Sequence, residues 1–129
     1  MAAKVPTFIS FAAEDAWARD LFVGQGRNPA TPWSITDWSL HEPFTEKWKT
    51  QTRPRISRCK VLIQLVGKHT WRADGAVWEV KCALEEGVPA FGVWISRDAH
   101  GRIPPGFQSN NIIDWTWPGV AEMIRKATR

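Results

Sequence analysis

The sequence predicts a doubly wound α/β domain, three layers built on a parallel sheet of about five strands in flavodoxin-like order. Two observations lead there. The first is the stretch from Val61 to Val93. A near-continuous apolar run, Val61-Leu62-Ile63-Gln64-Leu65-Val66, is followed by the loop Gly67 to Gly75, a helical pattern holding Trp78 and Glu79, and a second apolar run from Val88 to Ile95. Strands covered on both faces have this unbroken apolar character, so the stretch is a βαβ unit of a parallel sheet. The second observation is that the same alternation continues on both sides, giving βαβαβαβ, a loop-rich connection and a final βα. In such sheets ligands sit at the carboxyl ends of the strands. The loop from Gly67 to Gly75 and the first turns of the next helix, with Glu79 among them, therefore fall where chemistry is expected.

A chain of 129 residues that is 43% hydrophobic is large enough for one compact domain spanning residues 1–129. Cys59 and Cys82 have no partner motif, and no apolar N-terminal stretch has the form of a signal peptide, so the expected location is the reducing cytoplasm. No run is long enough to span a membrane. The net charge of +4 permits contact with phosphates without demonstrating it. Nine tryptophans and no tyrosine leave room for a ring that stacks on a ligand, although buried rings mostly serve a core.

Taken in order, Val5 to Phe11 has the β-branched and aromatic content of a strand. Glu14 and Asp15 open a helix at the end where acidic groups favour the macrodipole, and Trp17, Ala18, Leu21 and Phe22 are expected to share its buried face. Asn28 to Pro32 is turn chemistry, and Trp33 to Trp38 is a second strand ending in Asp37-Trp38-Ser39. A loop with His41, Glu42 and Pro43 leads to a helix of about three turns. On it Phe44, Trp48 and Ile56 fall near one face, and a kink or split is expected at Pro54. Here Lys47, Lys49, Arg53, Arg55, Arg58 and Lys60 face only Glu46, a basic run expected to be a solvated face. It has neither the aromatic-basic spacing of an RNA-reading motif nor a helix-turn-helix layout, so no nucleic-acid partner is expected. After a loop from Ser96 to Phe107, a short strand from Asn111 to Trp115 precedes a helix begun by Pro118 and lined by Val120, Met123, Ile124 and Ala127.

Several chemistries are excluded. Neither G-x-x-x-x-G-K-[ST] nor a G-x-G-x-x-G after the first strand is present. His41, His69 and His100 lack the close spacing of metal ligands, and no metal is expected. The strand-end acids of a response-regulator receiver are missing too.

The motifs that remain form a pattern. Thr7-Phe8-Ile9-Ser10-Phe11 followed by Glu14-Asp15 resembles the opening F-I-S-[YF]-x-x-x-D of TIR domains. Asp37-Trp38-Ser39 in the second βα loop, the V-L-I-x-L-[VI]-G strand, and the Trp78-Glu79 helix running to Gly87 before Val88-Pro89-Ala90-Phe91-Gly92-Val93 resemble the bacterial TIR-like component of Thoeris anti-phage defence. The pieces occur in register over about residues 5–95.

This resemblance implies a flavodoxin-like, TIR-like fold and an activity that needs no cofactor. NAD is the substrate, cleaved at the nicotinamide–ribose bond to give ADP-ribose or a cyclic ADP-ribose isomer as a messenger. Glu79 matches the family's catalytic glutamate. Taken alone it would be an ordinary helix glutamate like Glu85 and Glu86. Its chemistry suits the reaction, because breaking an N-glycosidic bond builds positive charge on the ribose, which a fixed carboxylate stabilises. Ser10, Phe11 and Ala12 with Asp37, Trp38 and Ser39 would form the other wall of the NAD pocket, and Trp78 would stand beside Glu79. Phe11 or Trp38 would stack on nicotinamide or adenine, and backbone amides of the first loop suit a diphosphate. The implied partners are a second copy of the chain or a phage-derived trigger, and an effector that senses the messenger. One departure stands out. The family places a tryptophan four positions before the glutamate, where this chain has Gly75. The missing ring would open the pocket, be replaced by Trp71 or Trp78, or mark a TIR-like module that binds a protein or nucleotide without chemistry.

Overall fold

The computed structural model describes residues 4–39, 43–98 and 100–128. In chain order the elements are β1 (Val5–Phe11), α1 (Ala16–Gly26), β2 (Trp33–Trp38), α2 (Glu46–Ser57), β3 (Val61–Val66), α3 (Asp74–Glu85), β4 (Ala90–Trp94), β5 (Ile112–Asp114) and α4 (Trp117–Ala127). The strands form one sheet in the order β2-β1-β3-β4-β5, and every adjacent pair is parallel. This is the flavodoxin-like order, with the chain reversing direction across the sheet between β1 and β3.

Strand periodicity divides the core in two. Ile9, Phe11, Val61, Ile63 and Leu65 join Phe22 of α1 and Val120, Ala121 and Ile124 of α4 on one face. Phe8 and Leu62, the alternating residues, pack on the other with Ile56 of α2 and Val80, Cys82 and Ala83 of α3. Both cysteines are free and buried on this second face. The parity places Ser10 and Gln64, which pair across β1 and β3, on the α3 side of the sheet.

β2 breaks the parity once. Thr7 pairs with Ile35 but Phe8 pairs with Asp37, so Thr36 is an extra residue, a bulge. Before the bulge, Trp33 and Ile35 lie with the α1 face. After it the phase is inverted, so that Asp37 meets Arg55 of α2, while Trp38 lies under Arg19 of α1, 5.3 Å from guanidinium carbon to ring centre. The next residue, Ser39, is thereby delivered to the α3 side.

Several expectations are corrected. Glu14 and Asp15 belong to a separate 3₁₀ turn, Ala13–Asp15, and the α-helix begins at Ala16. On α1 only Ala18 and Phe22 are buried, whereas Trp17 and Leu21 are 52% and 58% exposed. They sit a step of about 100° away from the buried stripe, which is narrower than the sequence pattern suggested. α2 runs unbroken through Pro54, at an exposed turn where water can replace the missing N–H. β4 begins at Ala90 rather than Val88. Gly87, at φ 72°, closes α3 with hydrogen bonds from Gly87 N to Leu84 O (3.2 Å) and Val88 N to Ala83 O (2.8 Å), so Val88 still belongs to the helix end. β5 is confined to Ile112–Asp114, Asn111 lying in a 3₁₀ turn. Among the described residues no helix is long and apolar enough to cross a membrane, and no group of three or more His, Cys, Asp or Glu could hold a metal ion. His41 and Glu42 lie outside the described residues.

Candidate active site

α3 buries one stripe, Ala76, Glu79, Val80, Cys82 and Ala83, against the sheet. A glutamate within that stripe has no access to bulk water, and Glu79 is fully buried. Buried carboxyl groups need partners. Ser10 Oγ donates to Glu79 Oε1 at 2.7 Å and Ser39 Oγ donates to the same oxygen at 2.6 Å. The two serines come from the carboxyl ends of β1 and β2, and the bulge brings the second into reach. Oε2 has no protein partner among the described residues. Gln64 Nε2 donates to Ser10 Oγ at 3.1 Å and to the backbone carbonyl of Ala76 at 2.9 Å. Phe11 N donates to Ser39 Oγ at 3.1 Å.

Burial pushes the Glu79 carboxyl up to about 8, chiefly through desolvation. The hydrogen bonds from Ser39 and Ser10 and the charge of Arg55 pull the other way, and Asp37 adds to the rise. At neutral pH this group is therefore mostly a neutral acid.

Glu79 lines a cleft of 330 Å³ with Phe11, Ala12, Ser39, Phe44, Trp48 and Gly75 among its other walls. This is near the lower end of the roughly 300–1,000 Å³ typical of small-molecule sites. Two aromatic walls come from around α2. Thr45 caps that helix by accepting from Trp48 N at 3.2 Å, which fixes its first turn and the Trp48 ring. Phe44 packs edge-on to Trp48, and Trp48 edge-on to Trp78. A Cβ at position 75 would lie 3.5 and 3.6 Å from the far edge of the Trp48 ring. The ring nearest to Gly75 is therefore an indole from another helix. Trp71 and Trp78 do not reach that position. Trp71 lies against Arg72 and Arg102, and Trp78 stands behind Trp48, against Arg53.

Of the residues singled out in the sequence, Glu79, Ser10 and Ser39 form one hydrogen-bonded group, and Phe11 and Ala12 line the cleft. Three stand outside its lining: Asp37, Trp38 and Trp78. Asp37 receives a bidentate pair from Arg55, with Nε to Oδ2 at 2.6 Å and Nη2 to Oδ1. Trp38 lines a different hollow with Arg19, Val23 and Arg27. Three participants were not singled out in the sequence, Gln64, Trp48 and Phe44. A polar residue inside Val61-Leu62-Ile63-Gln64-Leu65-Val66 was a usable signal for the first. The other two had none, since only the packing of α2 brings them to the cleft.

Outside the lining of the cleft, Asp15 is buried over Gly67, where any side chain would run into its carboxylate. Its pKa is raised, first by burial and then by Glu14, with Thr70 and His69 opposing. Thr70 Oγ accepts from Gly67 N at 2.8 Å, and His69 pairs with Glu14 at 3.2 Å, so the loops after β1 and β3 are tied together beside the cleft.

A β2-β1-β3-β4-β5 parallel sheet, with a buried glutamate on the helix after β3 facing the ends of β1 and β2, is a flavodoxin-like arrangement consistent with a TIR-like domain. The model of the family described as Thoeris protein ThsB, TIR-like domain, matches residues 8–100. The chain belongs to this family of TIR-like defence proteins. No curated protein matches it.

Proposed function

We propose that this domain cleaves NAD at the nicotinamide–ribose bond, releasing nicotinamide and forming ADP-ribose or a cyclic ADP-ribose isomer as a defence signal. The observation that carries this reading is Glu79, buried at the cleft and held by two serine hydroxyls on one oxygen while the other oxygen has no protein partner among the described residues. A structural glutamate would be placed in water or paired with a cation. The nicotinamide ring of NAD is itself cationic, and its approach favours ionisation of a carboxyl whose pKa is raised by an apolar setting. As the bond from ribose C1′ to the ring nitrogen breaks, its electron pair leaves with nicotinamide, and positive charge passes to the ribose beside the Glu79 carboxylate. Water at C1′ then gives ADP-ribose and one proton. An internal nucleophile at C1′ gives the cyclic isomer. Phe11, Phe44 and Trp48 supply apolar faces for a flat ring.

The cleft holds a nucleoside-sized group more readily than a whole dinucleotide, so a second copy of the chain or a phage-derived trigger would complete its cover, and an effector would read the product. The test is nicotinamide release by purified protein, followed by chromatography across a range of protein concentrations and with lysate from infected cells. Glu79→Gln is expected to lower turnover by at least ~2 kcal/mol in the activation barrier with the fold retained. Equal turnover by a folded Gln variant would remove Glu79 from the mechanism. Activity that is high and flat in dilute monomer would remove the partner.

A further inference from the structure

We propose that Gln64 is a positioning residue for Glu79. Fixed by the carbonyl of Ala76, it holds Ser10 as a hydrogen-bond donor and so assigns Oε2 as the carboxyl oxygen that meets the substrate. The proposal deepens the reading of Glu79 given above and rests on it only for its catalytic meaning.

Each hydrogen of the network has a single acceptor to go to. A backbone carbonyl only accepts, so the Gln64 atom 2.9 Å from Ala76 O is the amide nitrogen. The same nitrogen lies 3.1 Å from Ser10 Oγ and directs its second hydrogen there. Ser10 Oγ is thereby an acceptor toward Gln64, and its single hydrogen is left for Glu79 Oε1 at 2.7 Å. Ser39 is constrained in the same way. Its oxygen accepts from Phe11 N at 3.1 Å, and its hydrogen goes to Oε1 at 2.6 Å. Two donors converge on Oε1, which leaves no room for a proton there. When Glu79 is neutral, its proton sits on Oε2, and when it is ionised Oε1 remains anchored while Oε2 turns its lone pairs to the ligand.

Each link comes from a different element, α3 for Ala76 and Glu79, β3 for Gln64, β1 for Ser10. Ala76 and Glu79 are one turn apart on the same helix, so the network begins and ends on α3 and registers it against the sheet.

The experiment needs no substrate, so it succeeds or fails independently of NAD turnover. The Glu79 carboxyl carbon is followed by NMR against pH in protein carrying ¹³C at glutamate side-chain carboxyls, with the signal assigned by Glu79→Gln. Ser10→Ala removes one donor to the charged form and should move the midpoint upward by about one unit. Gln64→Met, close in shape and without hydrogen-bonding groups, frees the Ser10 hydroxyl to turn away and should move it the same way. Adding Ser10→Ala to Gln64→Met should then produce no further rise, because both act through one hydrogen bond. Should the Met variant not fold, Gln64→Glu serves, since its carboxylate takes the Ser10 hydrogen for itself. Ser10→Ala should again add nothing in that background. A wild-type midpoint in Gln64→Met with only a lower melting temperature, or full additivity with Ser10→Ala in either background, would overturn the proposal and leave Gln64 as a tie between β3 and α3.

Discussion

A carboxyl group buried as a neutral acid costs the fold stability above its ordinary titration range, and for Glu79 that cost is measurable. Its ordinary value of 4.5 applies to the unfolded chain and a value of about 8 to the folded one. As pH rises through 4.5 the unfolded chain loses this proton while the folded protein keeps it. The unfolded state therefore binds fewer protons across the window from about 4.5 to about 8, and Glu79 makes folding progressively less favourable there. Above about 8 both states are ionised and the loss is complete. Glu79→Gln, of nearly the same shape, should remove this slope. The variant is expected to gain on the order of 3 to 4 kcal/mol relative to wild type between pH 5 and pH 8, read from urea titrations at the two pH values. A difference that stays constant with pH would mean that Glu79 is not neutral in the fold.

Among the elements, α3 carries a second prediction. Gly75 lies in its first turn and costs helix stability through backbone freedom. A methyl group there would make ordinary contact with Trp48, 3.5 Å away, without displacing it. Gly75→Ala should therefore stabilise the protein by up to ~1 kcal/mol in denaturant unfolding and leave the cleft open. Destabilisation would show that Trp48 is packed more tightly against the helix than this spacing allows. The elements also show how far the sequence could be read. The strand cores and the order of elements were legible because apolar periodicity is a local property, whereas Glu79 and Ser10 were pointed to by the resemblance to TIR-like domains and not by periodicity. Ser39 lines the cleft and reaches Glu79, although simple alternation in β2 would have sent it to the other face. The bulge at Thr36 depends on pairing with β1, which no window of β2 contains. Trp38 stands outside the cleft for the same reason, whereas Asp37, turned by the bulge to the α2 side, is taken up by Arg55 instead. Trp17 and Leu21 matched a helical stripe in the sequence, yet helix spacing alone does not say how wide a stripe the sheet will cover.

At the scale of the whole molecule, the net charge of +4 overstates the basic character of α2. Arg55 is paired with Asp37, Arg53 with Glu85 and Glu86, and Lys49 with Glu46, so acids from β2 and α3 answer a run that looked unopposed along the chain. DNA or RNA should consequently bind weakly and lose affinity steeply as salt rises, as expected of a few non-specific phosphate contacts. Tight, sequence-selective binding at physiological salt would reverse this reading. The placement of Trp48 has an optical consequence as well. With no tyrosine in the chain, near-ultraviolet emission comes almost entirely from tryptophan, and one of the nine indoles forms a wall of the cleft. A planar ligand stacked there should quench part of that emission, and the loss should vanish in Trp48→Phe. Quenching unchanged in Trp48→Phe would place the ligand elsewhere. Otherwise the protein carries its own unlabelled reporter of occupancy, usable in variants that no longer turn anything over.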